Sequence, residues 1–500
     1  MTLPFLLDNH SLLYYNSNMA NLIEAYKLFH EGSLTLAKVE SNGIKVDTEY
    51  LDRAIEEKTN RIEEIKSSLM KDKIFKDWKN KYGDRTNIGS NLQLGDVLFN
   101  LRKVPCYDFT PTGRPKTSEK ALSIIAHPFV EQWIEMVHLR KLIGTFLKGL
   151  KRETVNGYFH PNFNLHSTTT YRSSSGSDQD GSSMRGLNFQ NLPVRNPVMS
   201  EAIRSCFIPR KNQQIAEIDF SGIEVRIAAV YTKDPTLINY IKDPTTDMHR
   251  DTAMQLFLLK ENQVSKKGTR YVAKNQMVFP QFYGSVYFQC APQMWESMER
   301  MNLKVEGEDT TIREHLKKNG VDSLGDCTPG ASPYPGTFSH LVKRVEQDFW
   351  TRRFKVYSEW KEKWWNSYLK RGYFDYLTGF RVSGHYSRNE VLNFAIQGTA
   401  FHCLLWSVIQ LQKWLKKYRM KTKLLGQIHD SKVLDLHPKE ADDVLHKAKS
   451  IMTVELPKHW EWICVPLEVE VEASPTNQSW HKKEIWIENN IGWGPKLSRN

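Results

Sequence analysis

Cysteine is scarce and unpatterned in this 500-residue chain. The six residues, Cys106, Cys206, Cys290, Cys327, Cys403 and Cys464, form no Cys-x-x-Cys pair and have no histidine at zinc-ligand spacing. That excludes a disulfide framework and a zinc finger, and predicts reduced structural thiols in an intracellular protein. No apolar run reaches the length of a membrane span. The opening Met1-Thr2-Leu3-Pro4-Phe5-Leu6-Leu7 lacks a basic flank and is stopped by Asp8, so neither a transmembrane segment nor a signal peptide is predicted. Internal repeats and coiled-coil heptads are missing as well. Acidic residues are outnumbered, 57 Asp and Glu against 69 Lys and Arg, giving a formal net charge of +12. Such a surplus favours a polyanionic partner over an acidic small molecule, although it also serves plain solubility. With 40% apolar residues, the chain has ample material for a core and for more than one subdomain.

What is present centres on residues 214–257. Apolar, partly β-branched residues carry a short strand into Asp219, and Gly222 then opens a helical pattern with Ile223, Ile227 and Val230 on one face. A second apolar run, Leu424 to Leu434, reads as a hairpin with His429 and Asp430 near its tip. A lone carboxylate beside apolar strands is costly, so a divalent cation shared by Asp219 and Asp430 is the natural partner of both.

Residues 1–30 carry no strong motif beyond a short helical pattern at Leu22, Ala25, Leu28 and Phe29. Ser41-Asn42-Gly43 predicts a turn, followed by a strand-like step and a charged helix from Thr48 to Leu69. Ser90 or Asn91 caps the next helix, and Pro128 to Leu150 reads as another with a basic face. Gly176 to Gly186 is a polar loop, flanked by Thr170-Tyr171-Arg172 and by Leu187-Asn188-Phe189-Gln190-Asn191-Leu192-Pro193, where short donors and arginine suit phosphates, sugars and base edges, or an ordinary capped turn. Asp247 caps a helix that presents His249 and Arg250. Arg270 and Lys274 share a helical face, as do Phe279 and Tyr283, but the five-residue step between the pairs turns an ideal helix about 140° away. A bulge or kink between Lys274 and Pro280 reunites them; a straight helix keeps them opposed. Residues 300–338 read as a peripheral insertion. The aromatic helix from Phe338 to Leu369 reads as core rather than a base-stacking surface. Asn393 and Gln397 stand four apart in the apolar helix from Arg388 to about Leu415, and are either satisfied by backbone or aimed at a ligand. Val465 to Glu472 alternates as a strand before an irregular, Trp-rich tail.

Five ordered motifs make this chain resemble the polymerase portion of the family A DNA polymerases, from about Leu34 to Trp480. Asp219-Phe220-Ser221-Gly222-Ile223-Glu224-Val225-Arg226 is similar to the motif D-Y-S-Q-I-E-L-R, and Arg270 to Gly284 to R-x-x-x-K-x-x-x-F-G-x-x-Y-G. Gln427-Ile428-His429-Asp430 matches Q-x-H-D. Thr170-Tyr171-Arg172 with Gln190-Asn191-Leu192-Pro193 resembles T-G-R followed by L-Q-N-I-P, and Asn393 with Gln397-Gly398-Thr399 resembles N-x-x-x-Q-G-T. The fold class this implies is α+β: a right-hand polymerase with an antiparallel palm sheet and helical thumb and fingers. The implied layout is an N-terminal extension at 1–33, thumb at 34–155, palm at 156–250 and 370–500, and fingers at 251–369 with the insertion near 300–338.

The implied function is template-directed DNA polymerisation, extending a primer 3′ end with dNTPs by two-metal-ion nucleotidyl transfer. Two Mg2+ ions about 3.5–4 Å apart, replaceable by Mn2+, would be held by Asp219, Asp430 and the Phe220 carbonyl. His249, Arg270 and Lys274 would bind the triphosphate, with Lys274 also a proton donor. Phe279 would pack on the nucleoside, Tyr283 would stack near the templating position, and Glu224 would crowd the ribose 2′ position. Arg172, Asn188, Gln190, Asn393 and Gln397 would read the duplex minor groove, with His429 at the primer end. Implied partners are primer-template DNA and dNTPs, without a membrane, in the cytoplasm, or in the host cytoplasm or nucleoid if phage-encoded. The few residues ahead of the thumb imply no proofreading domain, so that any 3′–5′ exonuclease or processivity subunit would be separate. The chain departs from the family pattern in four places. One extra residue separates Lys274 from Phe279, Pro280 replaces a glycine, Ser431 stands where many members carry a second acid, and the Gly176–Gly186 insert lengthens a template-contacting loop. Competing readings are a catalytically silent nucleic-acid-binding scaffold and a single-subunit RNA polymerase, the latter disfavoured by Glu224.

Overall fold

Three runs of β-branched and apolar residues, at 214–220, 423–428 and 431–436, come together as the strands that organise the molecule. The structure is a computed structural model, and it describes residues 9–106, 110, 113–122, 125, 127–176, 186–194, 196–490 and 492–496. Its largest sheet is antiparallel throughout, with strands in the order Lys423–Ile428, Ser431–Leu436, Gln214–Phe220, Val469–Ala473, Glu484–Asn489 and Gly492–Pro495. Gln214–Phe220 lies inside the sheet with Ile215, Ala216, Ile218 and Phe220 buried. Only His429 and Asp430 join the hairpin strands, and His429 takes the left-handed conformation such a tight turn needs, φ +49°. Strand register then sets Ser431 opposite Asp219.

Beneath the sheet runs the helix Arg388–Lys417, which Ser387 caps by accepting from the Glu390 N–H. It packs against Asn9–Asn42 and Ile223–Thr232, and Lys432 reaches from the sheet to Ser407 on it at 2.9 Å. By length and hydropathy this helix meets the criterion for a membrane span, which the sequence reading had not found. Because 78% of its most apolar window is buried inside the protein, the apolar character is that of a core helix.

A second hydrophobic core lies apart from the first, formed by Ala253, Phe257, Val272, Met294, Phe338, Val342 and their neighbours. Residues 300–338 are tied to this core by Leu303, Val305, Ile312, Leu316 and Val321, which are buried in it, while most of the segment's other residues are exposed or half-buried. The N-terminal pattern is longer than expected, a helix from Asn9 to Asn42 that contains the expected thumb start at residue 34. The tail is not irregular, since Glu484–Asn489 and Gly492–Pro495 extend the large sheet. Phe349, Phe354 and Tyr357 are fully buried, in agreement with the core reading of the aromatic helix, which is interrupted by a π-turn at Phe349–Arg353. Asp247 caps its helix as predicted, Ser90 rather than Asn91 supplies the cap of the helix that follows it, and Asp47 caps the helix from Thr48. The loop expected over Gly176–Gly186 lies, at 177–185, outside the described residues. Among the described residues no two cysteines form a disulfide.

Candidate active site

Asp219 reaches the end of its strand between Ser431 on one neighbouring strand and Glu470 on the other. Asp430 sits in the adjoining turn, where its carbonyl accepts from the Phe220 N–H over 3.3 Å. The Asp219 side chain stays open on the cleft side, but the protein behind it excludes water. That desolvation, followed by the charges of Asp430, Glu217 and Glu470, pushes its carboxyl up to about 7. Desolvation and then Glu224 push Asp430 up to about 6, opposed by Arg172. The Lys483 ammonium near Asp219 is engaged by Glu217 at 2.5 Å and by Glu472. Two crowded carboxylates without a paired base gain either protons or a shared cation.

Among the described residues no three His, Cys, Asp or Glu side chains gather as a metal cluster. The donor set is therefore two carboxylates with main-chain oxygen nearby, that of Phe220 being the candidate. Such a sparse set of hard oxygens fits Mg2+, which keeps several of its waters. Ser431 adds no carboxylate, and its hydroxyl donates to Glu217 at 2.9 Å and to the Ile428 carbonyl at 3.0 Å.

Above this floor, Gly222 takes φ +62° and starts the helix Ile223–Thr232, whose first turn carries Glu224. Glu224 accepts a hydrogen bond from the Tyr283 hydroxyl. Both line a cleft of about 190 Å³ together with Phe279, Asn393, Gln397 and Asp430. Beside Phe279, Asp247 has two tasks. One carboxylate oxygen accepts from the N–H groups of His249 and Arg250 at 3.0 Å, and the other holds the Arg270 guanidinium at 2.6 Å. The His249 ring stands 5.6 Å from that of Phe279, and its Nδ1 is buried with no hydrogen-bond partner among the described residues. Burial, then Arg270 and Lys274, press the His249 pKa down to about 4, which keeps the ring neutral near pH 7.

The bulge between Lys274 and Pro280 is present. Lys274–Val278 forms a π-turn, closed by the Phe279 N–H donating to the Lys274 carbonyl. The extra residue rewinds the helix and brings the Lys274 ammonium to 5.2 Å from the centre of the Phe279 ring, so the straight helix with opposed faces is excluded. Pro280 follows directly and, lacking an N–H, cannot continue the ordinary ladder.

Of the residues expected to touch a duplex, Asn393 and Gln397 face the cleft, and Arg172 donates to the Gln397 side-chain oxygen at 3.3 Å. His429 lies exposed at the hairpin turn. Asn188 and Gln190 are both engaged within the protein. The Asn188 side chain caps the turn Phe189–Asn191, accepting from the N–H groups of Gln190 and Asn191. Gln190 is buried, and its amide nitrogen donates to Ser173 at 2.7 Å and to Gln427 at 2.5 Å. Gln427 in turn donates to the His429 carbonyl at 2.6 Å. These two side chains brace the hairpin turn because bonds of this kind are available only once the loop docks on the strand.

Sequence reasoning missed Glu470, Asp247's hold on Arg270, and the Ser173–Gln190–Gln427 chain. A weak signal existed for the first: Glu468, Glu470 and Glu472 alternate, and one face of that strand had to meet Asp219 if the two paired.

The profile of DNA polymerase family A matches residues 49–302 and 361–482. DNA polymerase I of Geobacillus stearothermophilus is 26% identical over 449 residues, which are 88% of this chain and 44% of that protein. The thermostable DNA polymerase I of Thermus thermophilus is 27% identical over 464 residues, 89% of this chain and 47% of that one. A DNA polymerase of Bacillus phage SP01 is 25% identical, covering 84% of this chain and 46% of its own. The chain thus spans about half the length of these curated relatives. The POL domain of Pol1 from M. smegmatis, solved in complex with DNA primer-template and dNTP, superposes with a TM-score of 0.67 at 22% identity, over 90% of this chain and 70% of that one. The right-hand fold class is therefore shared.

Proposed function

The chain belongs to DNA polymerase family A, and from that premise we propose that it extends a primer 3′ end on a DNA template with dNTPs, by nucleotidyl transfer in the cytoplasm. The observation that carries the reading is the pair of desolvated carboxylates, Asp219 at its strand end and Asp430 in the adjoining turn that lines the cleft, with the Lys274 ammonium beside the cleft residue Phe279. Asp219, Asp430 and the Phe220 carbonyl would hold two Mg2+ ions. Bound there, the ions would supply acidification of the primer hydroxyl and charge neutralisation at the triphosphate.

The chain's own residues do the rest of the positioning. Arg270 exchanges Asp247 for triphosphate oxygens, which requires only a side-chain swing from its present partner. Lys274 leaves the Phe279 ring for the same group and donates a proton to the departing pyrophosphate. Neutral His249 offers a hydrogen bond without adding charge. Phe279 then packs on the nucleoside, Tyr283 stacks near the templating position, and Glu224 bars a 2′-hydroxyl. Asn393, Gln397 and Arg172 contact the minor groove, whose acceptors are common to all base pairs, while His429 approaches the primer end. Asn188 and Gln190 hold the loop and hairpin in place instead of touching DNA.

A primed template with Mg2+ and either dNTPs or NTPs tests the reading. Templated extension with dNTPs is expected, and Asp219→Asn should abolish it while gel-shift binding of the duplex persists. Extension by that variant at the wild-type rate sinks the carboxylate assignment, and preferential use of NTPs sinks the DNA polymerase reading.

A further inference from the structure

A concavity at the far end of the sheet takes no part in the cleft. It encloses about 540 Å³ between the Asn9–Asn42 helix, the last turns of Arg388–Lys417 and the chain that follows them. Four cations line it, Lys38, Lys416, Arg419 and Lys423, and no carboxylate does. The acids around it are engaged elsewhere. Asp435 holds Arg210 at 2.6 Å, Glu31 holds Lys413 at 2.7 Å, and Glu440 accepts from the Lys421 and Thr422 N–H groups at 2.8 and 2.9 Å. Lys423 is consequently unbalanced: burial, then Arg210 and Lys38, press its ammonium pKa down against the weaker pull of Asp435.

The ordinary explanation of basic residues here is that they offset the carbonyl end of the helix. It covers Lys416, which lies in the last turn, but not Lys38 or Lys423, which come from other elements. Arg419 also stands out. It adopts φ +53° where its N–H donates to the Lys416 carbonyl and that of Met420 to Leu415, a helix ending that suits glycine. The site is remote from the cleft, since Lys423 and Ile428 are separated by about 17 Å of strand and Gln397 and Lys416 by about 28 Å of helix. A ligand could therefore occupy it while a duplex fills the cleft.

The chemistry of the lining selects the ligand. No aromatic ring lines the groove, so stacked bases find no platform. Leu34, 63% exposed, and Met420 supply an apolar stripe among the cations. We infer that this groove docks an acidic segment of a partner protein, with Asp or Glu carboxylates on Lys38, Lys416, Arg419 and Lys423 and an apolar side chain against Leu34 and Met420. The inference does not depend on the reading of the cleft.

The test is fluorescence anisotropy of the full chain with two probes, a labelled helical peptide of Glu, Leu and Ala and a labelled oligo-dT strand. The peptide should bind in a salt-sensitive manner. Arg419→Gly, which suits the left-handed backbone and keeps the fold, and Lys38→Ala should each weaken peptide binding by about tenfold, the scale of one lost ion pair. Neither change should weaken oligo-dT binding. Absence of peptide binding to the unaltered chain, or peptide binding indifferent to both substitutions, overturns the inference. So does a loss confined to oligo-dT, which would make the groove a nucleic-acid phosphate site.

Discussion

On the sheet side of the cleft, Asp219 and Asp430 carry charge that no base balances; on the helical side, Arg270 is held by Asp247 and Lys274 rests on the ring of Phe279. The sheet side is set by strand register and a two-residue turn, which leave little room for adjustment. The helical side includes a π-turn and long side chains whose present partners are exchangeable. A rigid anionic floor that needs a cation thus contrasts with an adjustable cationic segment around Phe279 that can exchange one anion for another. Metal ions are expected to order on the floor, and the triphosphate to rearrange that segment.

The sharpest test of the contrast is Asp430→Asn. It should lower primer extension by about a thousandfold, yet leave the metal-free melting temperature unchanged or raised, because one of two repelling carboxylates has gone. A fall in melting temperature with activity intact would mean that the floor is structural. Next in size is insertion of one alanine after Asn275: the π-turn Lys274–Val278 absorbs a single extra residue, so a second should rotate Phe279 and Tyr283 by about 100° away from Lys274. About a hundredfold loss of extension is expected from that misplacement. Wild-type extension by the insertion would show that the two pairs need not share a face.

Glu224→Ala should raise ribonucleotide incorporation relative to deoxynucleotides by about tenfold, in keeping with the loss of one excluding side chain. Unchanged sugar selectivity in competition assays would remove Glu224 from that role. The smallest effect concerns His249, whose pKa is lowered from the usual 6.5 to about 4 in the folded chain. As pH falls from about 6.5 towards 4, the unfolded chain takes up a proton that the folded one refuses, so stability contributed by the neutral ring is lost in that window. His249→Gln should therefore show a shallower fall in melting temperature across it. An identical slope would show that the ring titrates normally.

Much of this arrangement was legible before the fold was known. Asp219 at a strand end, Asp430 at a hairpin tip, the Asp247 cap and the need for a bulge after Lys274 all follow from local spacing. The internal bonds of Asn188 and Gln190 were not legible, because an amide in a polar loop reads alike whether it meets solvent or a neighbouring strand. The tie of residues 300–338 to a core was not legible for a related reason. Their Gly/Pro-rich text gives no hint that Leu303, Ile312 and Leu316 meet Phe338 and Val342 in a second core.

Local order along the chain, its caps, turns, alternations and the helix interruption at Pro280, was determined by the residues themselves, since each depends on neighbours a few positions away. Which carboxylates would share a floor, which base would be engaged elsewhere, and which lysines would be left together in a groove were decided only when segments hundreds of residues apart packed. Charges interact through space and are tuned by the water that packing removes, and neither distance nor desolvation is written in sequence separation.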